Sequence, residues 1–564
     1  MYHLSGWERL RPPDRGAAAV GPRAEWRYAG GPGFPVTRPL IVTESLGGSP
    51  LARRVAEGVA PPEWYLPRPM SADAWRSRAA DVRESTPSDW LARLSLAFGA
   101  TGAAGAAGAA GARLERVAQA GGVVVTTGQQ PGLFGGAIYT WSKAISALEL
   151  CDAIERETGI PAAPVFWAAT DDADFAEASE TWISVPGGAE RLVMAGRASD
   201  GLPMADYPLG DVQDLLDRLE SSAGSAIDPG ILDAVRLSYH PRATVGGAYL
   251  TLLRVVLEPL GIAVLDASHP TLLEAGRPML TQALTHGTAV AEALRARGGG
   301  MRDAGHEPQV ADVEGLSLVF GRDRGLKVRI PLRDAHDVAA RGSSERLSPN
   351  VLLRPVVERS LLPTVAYVAG PGEIAYFAQV SAVATALGAP VPLVVPRWSC
   401  TIVEPQVEAL LRARGVTRAE LSSPHAVEGR LAREAAPATL LSAMAGWRAR
   451  IDEGAEALGE ALAAEPGLLV PGIADATRRQ MLWRADRLER RLGAALKRRD
   501  QAMLHDVGTL RGALYPGGTR QERALNLMPL LARHGMGVVD AMRLAARRHA
   551  QALVVGTSLP VDPA

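Results

Sequence analysis

Between Gly121 and Pro396 the chain alternates short β-branched runs with longer helix-forming stretches, and this alternation limits the fold more than any other feature. The runs are Val123-Val-Val-Thr-Thr127, Pro164-Val-Phe-Trp-Ala168, Ala263-Val-Leu-Asp266, Leu316-Ser-Leu-Val-Phe320, Thr364-Val-Ala-Tyr-Val368 and Pro392-Leu-Val-Val-Pro396. They are too short for helices, and helical segments lie between several of them. Strand, loop and helix in repetition predict an α/β fold with a mostly parallel, doubly wound sheet. After about residue 404 the strands stop and helix formers with many arginines follow. The expected division is a core over 1–404 and a helical domain over 405–564. In the second part Met481, Ala485, Leu488 and Leu492 recur at spacings of four and three, as do Met503, Val507, Leu510 and Leu514. That spacing predicts a coiled-coil seam along a long helix ended by Pro516-Gly-Gly518, serving as an arm or dimer contact. An amphipathic bundle helix would show the same spacing.

Ahead of the first strand the signals are weaker. Residues 1–70 are rich in Pro, Gly and Arg, which predicts an extended segment with little regular structure. Residues 71–98 suit a helical pair, and the Gly-Ala repeat over 99–112 a loop or frayed helix. A formal net charge of −1 argues against holding nucleic acid by bulk charge. No charge-free apolar stretch of roughly 18 residues occurs, so no membrane span is expected. The start, Met1 to Leu10, lacks a basic stretch followed by an apolar run, so no signal peptide is expected. Two cysteines, Cys151 and Cys400, cannot make a disulfide framework or a four-sulfur metal site. Both are expected as small buried hydrophobes, and their scarcity suits the cytoplasm. The histidines are dispersed and form no metal pattern. His306, in a turn leading to a strand, is a candidate substrate contact.

Four segments could carry chemistry. In Thr126-Thr-Gly-Gln-Gln-Pro-Gly-Leu-Phe-Gly-Gly a strand leads into a glycine-punctuated loop and then a helix. Small residues let backbone N–H groups approach an anion, and a helix N-terminus favours negative charge. Thr127, Gly128, Gln129, Gln130 and Gly132 are therefore candidate nucleotide contacts, with Lys143 reaching back from the helix. The spacing is neither a P-loop nor GxGxxG, so a tight turn is the competing reading. In Phe166-Trp-Ala-Ala-Thr-Asp-Asp-Ala-Asp-Phe175 three carboxylates follow a strand. Asp171, Asp172 and Asp174 could hold Mg²⁺, a substrate ammonium or a ribose, or could cap a helix. In Ala369-Gly-Pro-Gly-Glu-Ile-Ala-Tyr-Phe-Ala-Gln379 a tight turn feeds a helix, making Gly370 and Gly372 candidates for the nucleotide and Glu373, Tyr376 and Gln379 for the pocket wall. In Val394-Val-Pro-Arg-Trp-Ser-Cys400, Arg397 and Ser399 follow a buried strand and could face phosphate, although an arginine there is often an ion-pair partner.

Together these segments, with Leu352-Leu-Arg-Pro-Val-Val and Leu514-Tyr-Pro-Gly-Gly-Thr-Arg-Gln-Glu-Arg-Ala-Leu-Asn-Leu-Met-Pro, resemble the cysteine-adding enzymes of bacillithiol biosynthesis. The resemblance runs in family order from about residue 120 to 535. It implies a Rossmann-like core similar to class I aminoacyl-tRNA synthetases, with inserted connecting regions and a C-terminal helical coiled-coil domain that pairs two subunits. It implies an ATP-dependent ligase joining L-cysteine to glucosaminyl malate through an activated carboxylate, with Mg²⁺ accompanying the nucleotide. Asp171, Asp172, Asp174, Glu373 and Arg397 would then be catalytic. One departure stands out: the family's Glu-Asp-His-Asp-Phe reads Asp171-Asp-Ala-Asp-Phe175 here, so Ala173 removes an imidazole. Two rivals are another ATP-dependent amino-acid ligase on this scaffold and a nucleotide-binding interaction protein acting through its coiled coil.

Overall fold

The computed structural model describes residues 38–99, 108–196, 201–342, 346–465 and 467–563. Most of the Pro, Gly and Arg-rich leading segment and of the Gly-Ala repeat lies outside these residues. Five strands form the central sheet: Val123–Gln129, Ala162–Ala168, Ala263–Asp266, Thr364–Ala369 and Val394–Pro396. All neighbours are parallel. Numbered along the chain, they lie in the spatial order 3-2-1-4-5, the Rossmann order. The order reverses between Val123–Gln129 and Thr364–Ala369. The two connections leave that point in opposite directions and open a crevice beyond the strands' carboxyl ends, where ligands bind in such sheets.

Both faces of the sheet are covered, so its strands need no polar alternation. Val123, Val124 and Val125 are all fully buried. Val124 packs with the helices Ala109–Gln119 and Pro371–Ala386. Val123 and Val125 face the other way, onto Ile138–Thr158 and Gly537–Val555. Burying one such valine contributes about 1.5–3 kcal/mol. Cys151 lies in the second of these layers, where burial pushes its thiol up to about 12.

The run Leu316–Asp323 is a strand, but it joins an antiparallel sheet with Leu326–Pro331 and Ser348–Pro349 rather than the central one. The two-residue Arg324-Gly325 turn joins it to Leu326–Pro331 as a hairpin, so its partner is local rather than a parallel strand of the central sheet. Residues 38–70, expected to be largely irregular, contain the strand Leu40–Glu44 and the helix Pro50–Ala56. That strand pairs antiparallel with Ser399–Val403.

The C-terminal part is helical. Ala438–Ala463 and Ile473–Arg499 pack together as a hairpin. The expected single long helix is two: the chain breaks at Asp500, whose side chain caps Gln501–Leu514 by accepting from the Met503 N–H at 2.8 Å. The two halves of the expected seam therefore part company. Met503, Val507, Leu510 and Leu514 are buried against Val403, Val407 and Leu411 of the core. Met481 and Leu488 are half exposed on the hairpin, with only Ala485 buried between them. After residue 514 the chain returns to the Rossmann layer, where Gly537–Val555 lies along Ile138–Thr158. No helix among the described residues is long and apolar enough to cross a membrane.

Candidate active site

Beyond the carboxyl ends of the central strands lies a cavity of 540 Å³. The Val123–Gln129 strand delivers Gly128, Gln129 and Gln130 to it, and the neighbouring Ala162–Ala168 strand delivers Ala169, Asp171, Asp172 and Ala173. Gly128 sits opposite Trp167, and a Cβ there would stand 2.7 Å from the Trp167 carbonyl oxygen. Only glycine lets the two strands close at this level. The third contribution follows the Thr364–Ala369 strand. Gly370 caps the helix Pro371–Ala386, and Glu373 reaches back to accept the Gly370 N–H at 2.7 Å. Proline at the first helical position and glutamate at the third are what such a helix start favours.

A buried polar network underlies this corner. Lys143, 3 % exposed in its side chain, donates to the Gly128 carbonyl and to Gln129 Oε1, each at 2.9 Å, and pairs with Glu373 at 2.5 Å. Burial drives the Lys143 ammonium down against the attraction of Glu373. Burial raises the Glu373 carboxyl, but Lys143, the Gly370 N–H and the Tyr367 hydroxyl outweigh it and hold it below its usual range. Tyr367 also accepts from Arg354 at 3.0 Å, and Arg354 pairs with Glu358 at 3.2 Å. Glu358 accepts the Thr126 hydroxyl, and full burial, only partly offset by Arg354, pushes its carboxyl up to about 7.

Arg397 enters from beneath. Its Nη1 and Nη2 form a two-pronged pair with Glu522 at 2.7 and 2.6 Å, and both side chains are almost fully buried. Its buried Nε makes no hydrogen bond within the described residues and lies beside Gly370, 3.8 Å from where a Cβ would stand. On the opposite wall Lys327 pairs with Asp171 at 3.2 Å and lies over the Phe320 ring, with Arg329 beside it. Six cations, Lys143, Lys327, Arg329, Arg354, Arg397 and Arg523, line the cavity against four carboxylates, Asp171, Asp172, Glu177 and Glu373. Arg354 and Arg397 are already paired with Glu358 and Glu522 behind the wall, which leaves Arg329, Arg523 and the Arg397 Nε to meet an anionic ligand.

Eleven of the residues expected from the sequence therefore share one cavity: Gly128, Gln129, Gln130, Lys143, Asp171, Asp172, Gly370, Gly372, Glu373, Tyr376 and Arg397. Others lie elsewhere. Thr127 is buried and donates to the Val368 carbonyl at 2.8 Å, tying two strands together. Ser399 donates to Glu522 at 2.9 Å, below the cavity. Gln379 exchanges two hydrogen bonds with the Val310 backbone, 3.0 and 2.8 Å, and so holds a loop that lines the cavity. His306 stands edge-on to Trp64. Asp174 is exposed and caps Phe175–Ala178. Gly132 belongs to a second, adjoining cavity.

The helix after the glycine loop does not present its first amide to the main cavity. The Ile138 N–H donates to the Leu525 carbonyl at 2.9 Å, and the Asn526 side-chain amide donates to the Phe134 carbonyl at 3.0 Å. A segment near the C-terminus thus stitches the loop shut.

Sequence reasoning passed over Arg354, Lys327, Arg329, Glu177, Tyr139, Arg523 and Glu522. Arg354, Glu522 and Arg523 stand inside the quoted family motifs and could have been drawn from them. Lys327 and Arg329 alternate along a strand, which places both on one face.

The model for the N-terminal Rossmann-like domain of bacillithiol biosynthesis BshC matches residues 61–398, and that for its C-terminal coiled-coil domain matches 400–554. A Solibacter usitatus protein named "Putative cysteine ligase BshC" is 31% identical over 454 residues, covering 77% of this chain and 85% of that one. Proteins of the same name from Koribacter versatilis (31% over 449 residues; 77% and 83%) and Heliobacterium modesticaldum (30% over 465; 76% and 82%) are similar to it over a comparable span.

Proposed function

The chain belongs to the BshC family of bacillithiol biosynthesis, and from that premise we propose that it is a cytoplasmic, ATP-dependent ligase that joins L-cysteine to glucosaminyl malate. The observation that carries the reading is the cation-rich cavity at the point where the strand order reverses. Lys143, the Arg397 Nε and the turn at Gly370 to Gly372 would face the nucleotide phosphates. The unpartnered buried Nε fits an anion, since leaving it bare costs about 1–3 kcal/mol. Asp171 and Asp172 would receive the cysteine ammonium, and Tyr376 would close the wall. These carboxylates engage Lys327 and Gln130, and no group of three His, Cys, Asp or Glu side chains among the described residues could hold a metal ion. Asp171 and Asp172 suit the ammonium directly, and a Mg²⁺ carried on the nucleotide would need only one or two carboxylates beside its phosphate oxygens. Fixed cations aimed at charge that develops on phosphate would supply the main catalytic term.

Purified protein should form a thiol-bearing conjugate, identified by mass, only when ATP, L-cysteine and glucosaminyl malate are all present. No product from the complete mixture sinks the reading. A second reading, a ligase for a different amino acid, is favoured by Ala173, which lines the cavity where the family carries histidine. Amino-acid-dependent ATP consumption across a panel separates the two.

We further propose that the helical hairpin pairs two subunits, because it leaves Trp447, Met481, Trp483 and Leu488 substantially exposed. The protein should sediment as a dimer, and a variant with Met481→Glu and Leu488→Glu as a monomer. A wild-type monomer at micromolar concentration would refute the pairing.

A further inference from the structure

The main cavity does not end at its own wall. A second cavity of 290 Å³ adjoins it, and the two share Gln129, Gln130, Tyr139, Glu177 and Arg523. The second is built between the glycine loop, the start of the Ile138–Thr158 helix, the strand carrying Thr181 and Trp182, and the C-terminal segment at Thr519. Its character differs from that of the first: aromatic rings, hydroxyls and amides line it beside Glu177 and Glu180, the latter already paired with Arg191, with Arg523 at the junction. The Arg523 guanidinium lies 5.6 Å from the centre of the Tyr139 ring and has no ion-pair partner among the described residues. A polar, hydroxyl-bearing molecule with a carboxylate fits such a lining, because arginine grips carboxylate and ring faces take up apolar sugar faces.

Glu177 stands where the two cavities meet. Lys143 donates to Gln129 Oε1 at 2.9 Å, and Gln129 Nε2 donates to Tyr139 at 3.0 Å and lies 3.4 Å from Glu177. This chain runs from the corner assigned to phosphate to the mouth of the second cavity.

We propose that the second cavity seats the acceptor, an amino sugar carrying a carboxylate, and that Glu177 is the base that takes a proton from its ammonium. This rests on the ligase reading and adds where the acceptor binds and what frees its amine. The ammonium gives one proton to the Glu177 carboxylate. The amine nitrogen then attacks the activated cysteine acyl carbon and forms the C–N bond. The C–O bond to the activating phosphate breaks with its electron pair staying on the phosphate oxygen, which receives the second nitrogen proton.

The groups facing Glu177 agree with that role. Glu177 is exposed at the mouth of the cavity, yet the protein around it withdraws part of its water, and Asp174 and Asp172 on its own loop add like charge, pushing its carboxyl up to about 7. Lys143 from the helix and Arg523 from the C-terminal segment act in the opposite direction. Tyr139 and Gln129 are its neutral neighbours. Below about pH 7 the carboxyl is protonated and cannot accept, so acceptor transfer should rise with pH through that value. A base titrating near the working pH is well matched to proton abstraction.

Hydroxylamine separates the two halves of the reaction. It is small, is unprotonated at neutral pH, and traps activated cysteine as a hydroxamate without needing a base or the second cavity. Glu177→Gln should form amide with glucosaminyl malate about 100-fold more slowly, lose the pH limb near 7, and still form hydroxamate from ATP and cysteine within about threefold of the parent rate. Thr519→Trp, an exposed position that lines only the second cavity, should raise KM for the amino sugar about tenfold with the KM for cysteine little changed. Equal loss of hydroxamate and amide in Glu177→Gln overturns the inference, as does unchanged amide formation. A parent protein that makes neither product overturns the ligase reading and this inference together. Normal parent activity with unaffected variants overturns the inference alone.

Discussion

Replacing Glu522 by alanine should cost about 3–5 kcal/mol of stability, because it leaves the Arg397 guanidinium buried without its counter-charge. The side chains are 1 % and 3 % exposed, so water cannot substitute for either partner. Glu522 also accepts the Ser399 hydroxyl at 2.9 Å and the Cys400 N–H at 3.3 Å, and both donors would lose their partner. Burial raises the Glu522 carboxyl, but Arg397 outweighs it and holds it low. Its contribution is therefore present above the ordinary glutamate range and is lost as pH falls toward the lower folded value. The double variant Arg397→Met with Glu522→Leu should recover much of the loss, since a packed apolar pair avoids the desolvation cost. Urea unfolding of the two variants and the parent checks this. A shift below about 1 kcal/mol for Glu522→Ala would show that the pair does not hold the two segments together.

The largest loss of activity is expected at Lys143. Its ammonium donates to three oxygens, those of Gly128, Gln129 and Glu373, so it would act on a phosphate through its charge, and its Cε adjoins the turn at Gly370. A cation held there needs no reorganisation when charge builds on a phosphate, and removing one such group costs about 10²–10³ in rate. Lys143→Met should reduce hydroxamate formation from ATP and cysteine by that factor. It should also destabilise the fold, because Glu373 loses its counter-ion. Adding Glu373→Gln should restore stability but not activity, and that split distinguishes a chemical role from a structural one. Lys143→Arg is not conservative here, because the larger planar group does not fit a side chain 3 % exposed. Lys143→Met retaining more than a tenth of the parental activation rate would remove the residue from the proposed chemistry.

What the sequence discloses here follows the reach of each interaction. The parallel strands were legible because burial on both faces writes itself as Val123-Val-Val and Pro164-Val-Phe-Trp. The meeting of the glycine loop with the acidic segment was legible too, since consecutive strands of an α/β unit tend to pair. The Leu316–Asp323 strand was misplaced because a five-residue window does not reveal its partner. The helix break at Asp500 was missed because Asp within a charged stretch reads equally well as exposed helix or as a cap. Thr127 and Ser399 were expected at the ligand, yet their hydroxyls meet Val368 and Glu522. Glu522 lies 125 residues from Arg397, so no local pattern ties them. The Arg354 network was hidden likewise, because its carboxylate lies one turn along its own helix, where glutamate ordinarily reads as a solvated partner.

The stretch from Gln521 to Asn526 gives the centre a history as well as a shape. Gln521 exchanges hydrogen bonds with the Ile402 backbone at 2.7 and 2.8 Å, Glu522 secures Arg397, and Asn526 fastens the glycine loop. These residues follow every strand of the central sheet along the chain and so leave the ribosome after them. A nascent chain halted just before them already carries every strand of the central sheet but leaves an arginine bare and the loop unfastened. Synthesis itself therefore sets an order of maturation: the strands emerge first, and competence waits for the thread that follows them and for Gly537–Val555, which closes one face of the sheet.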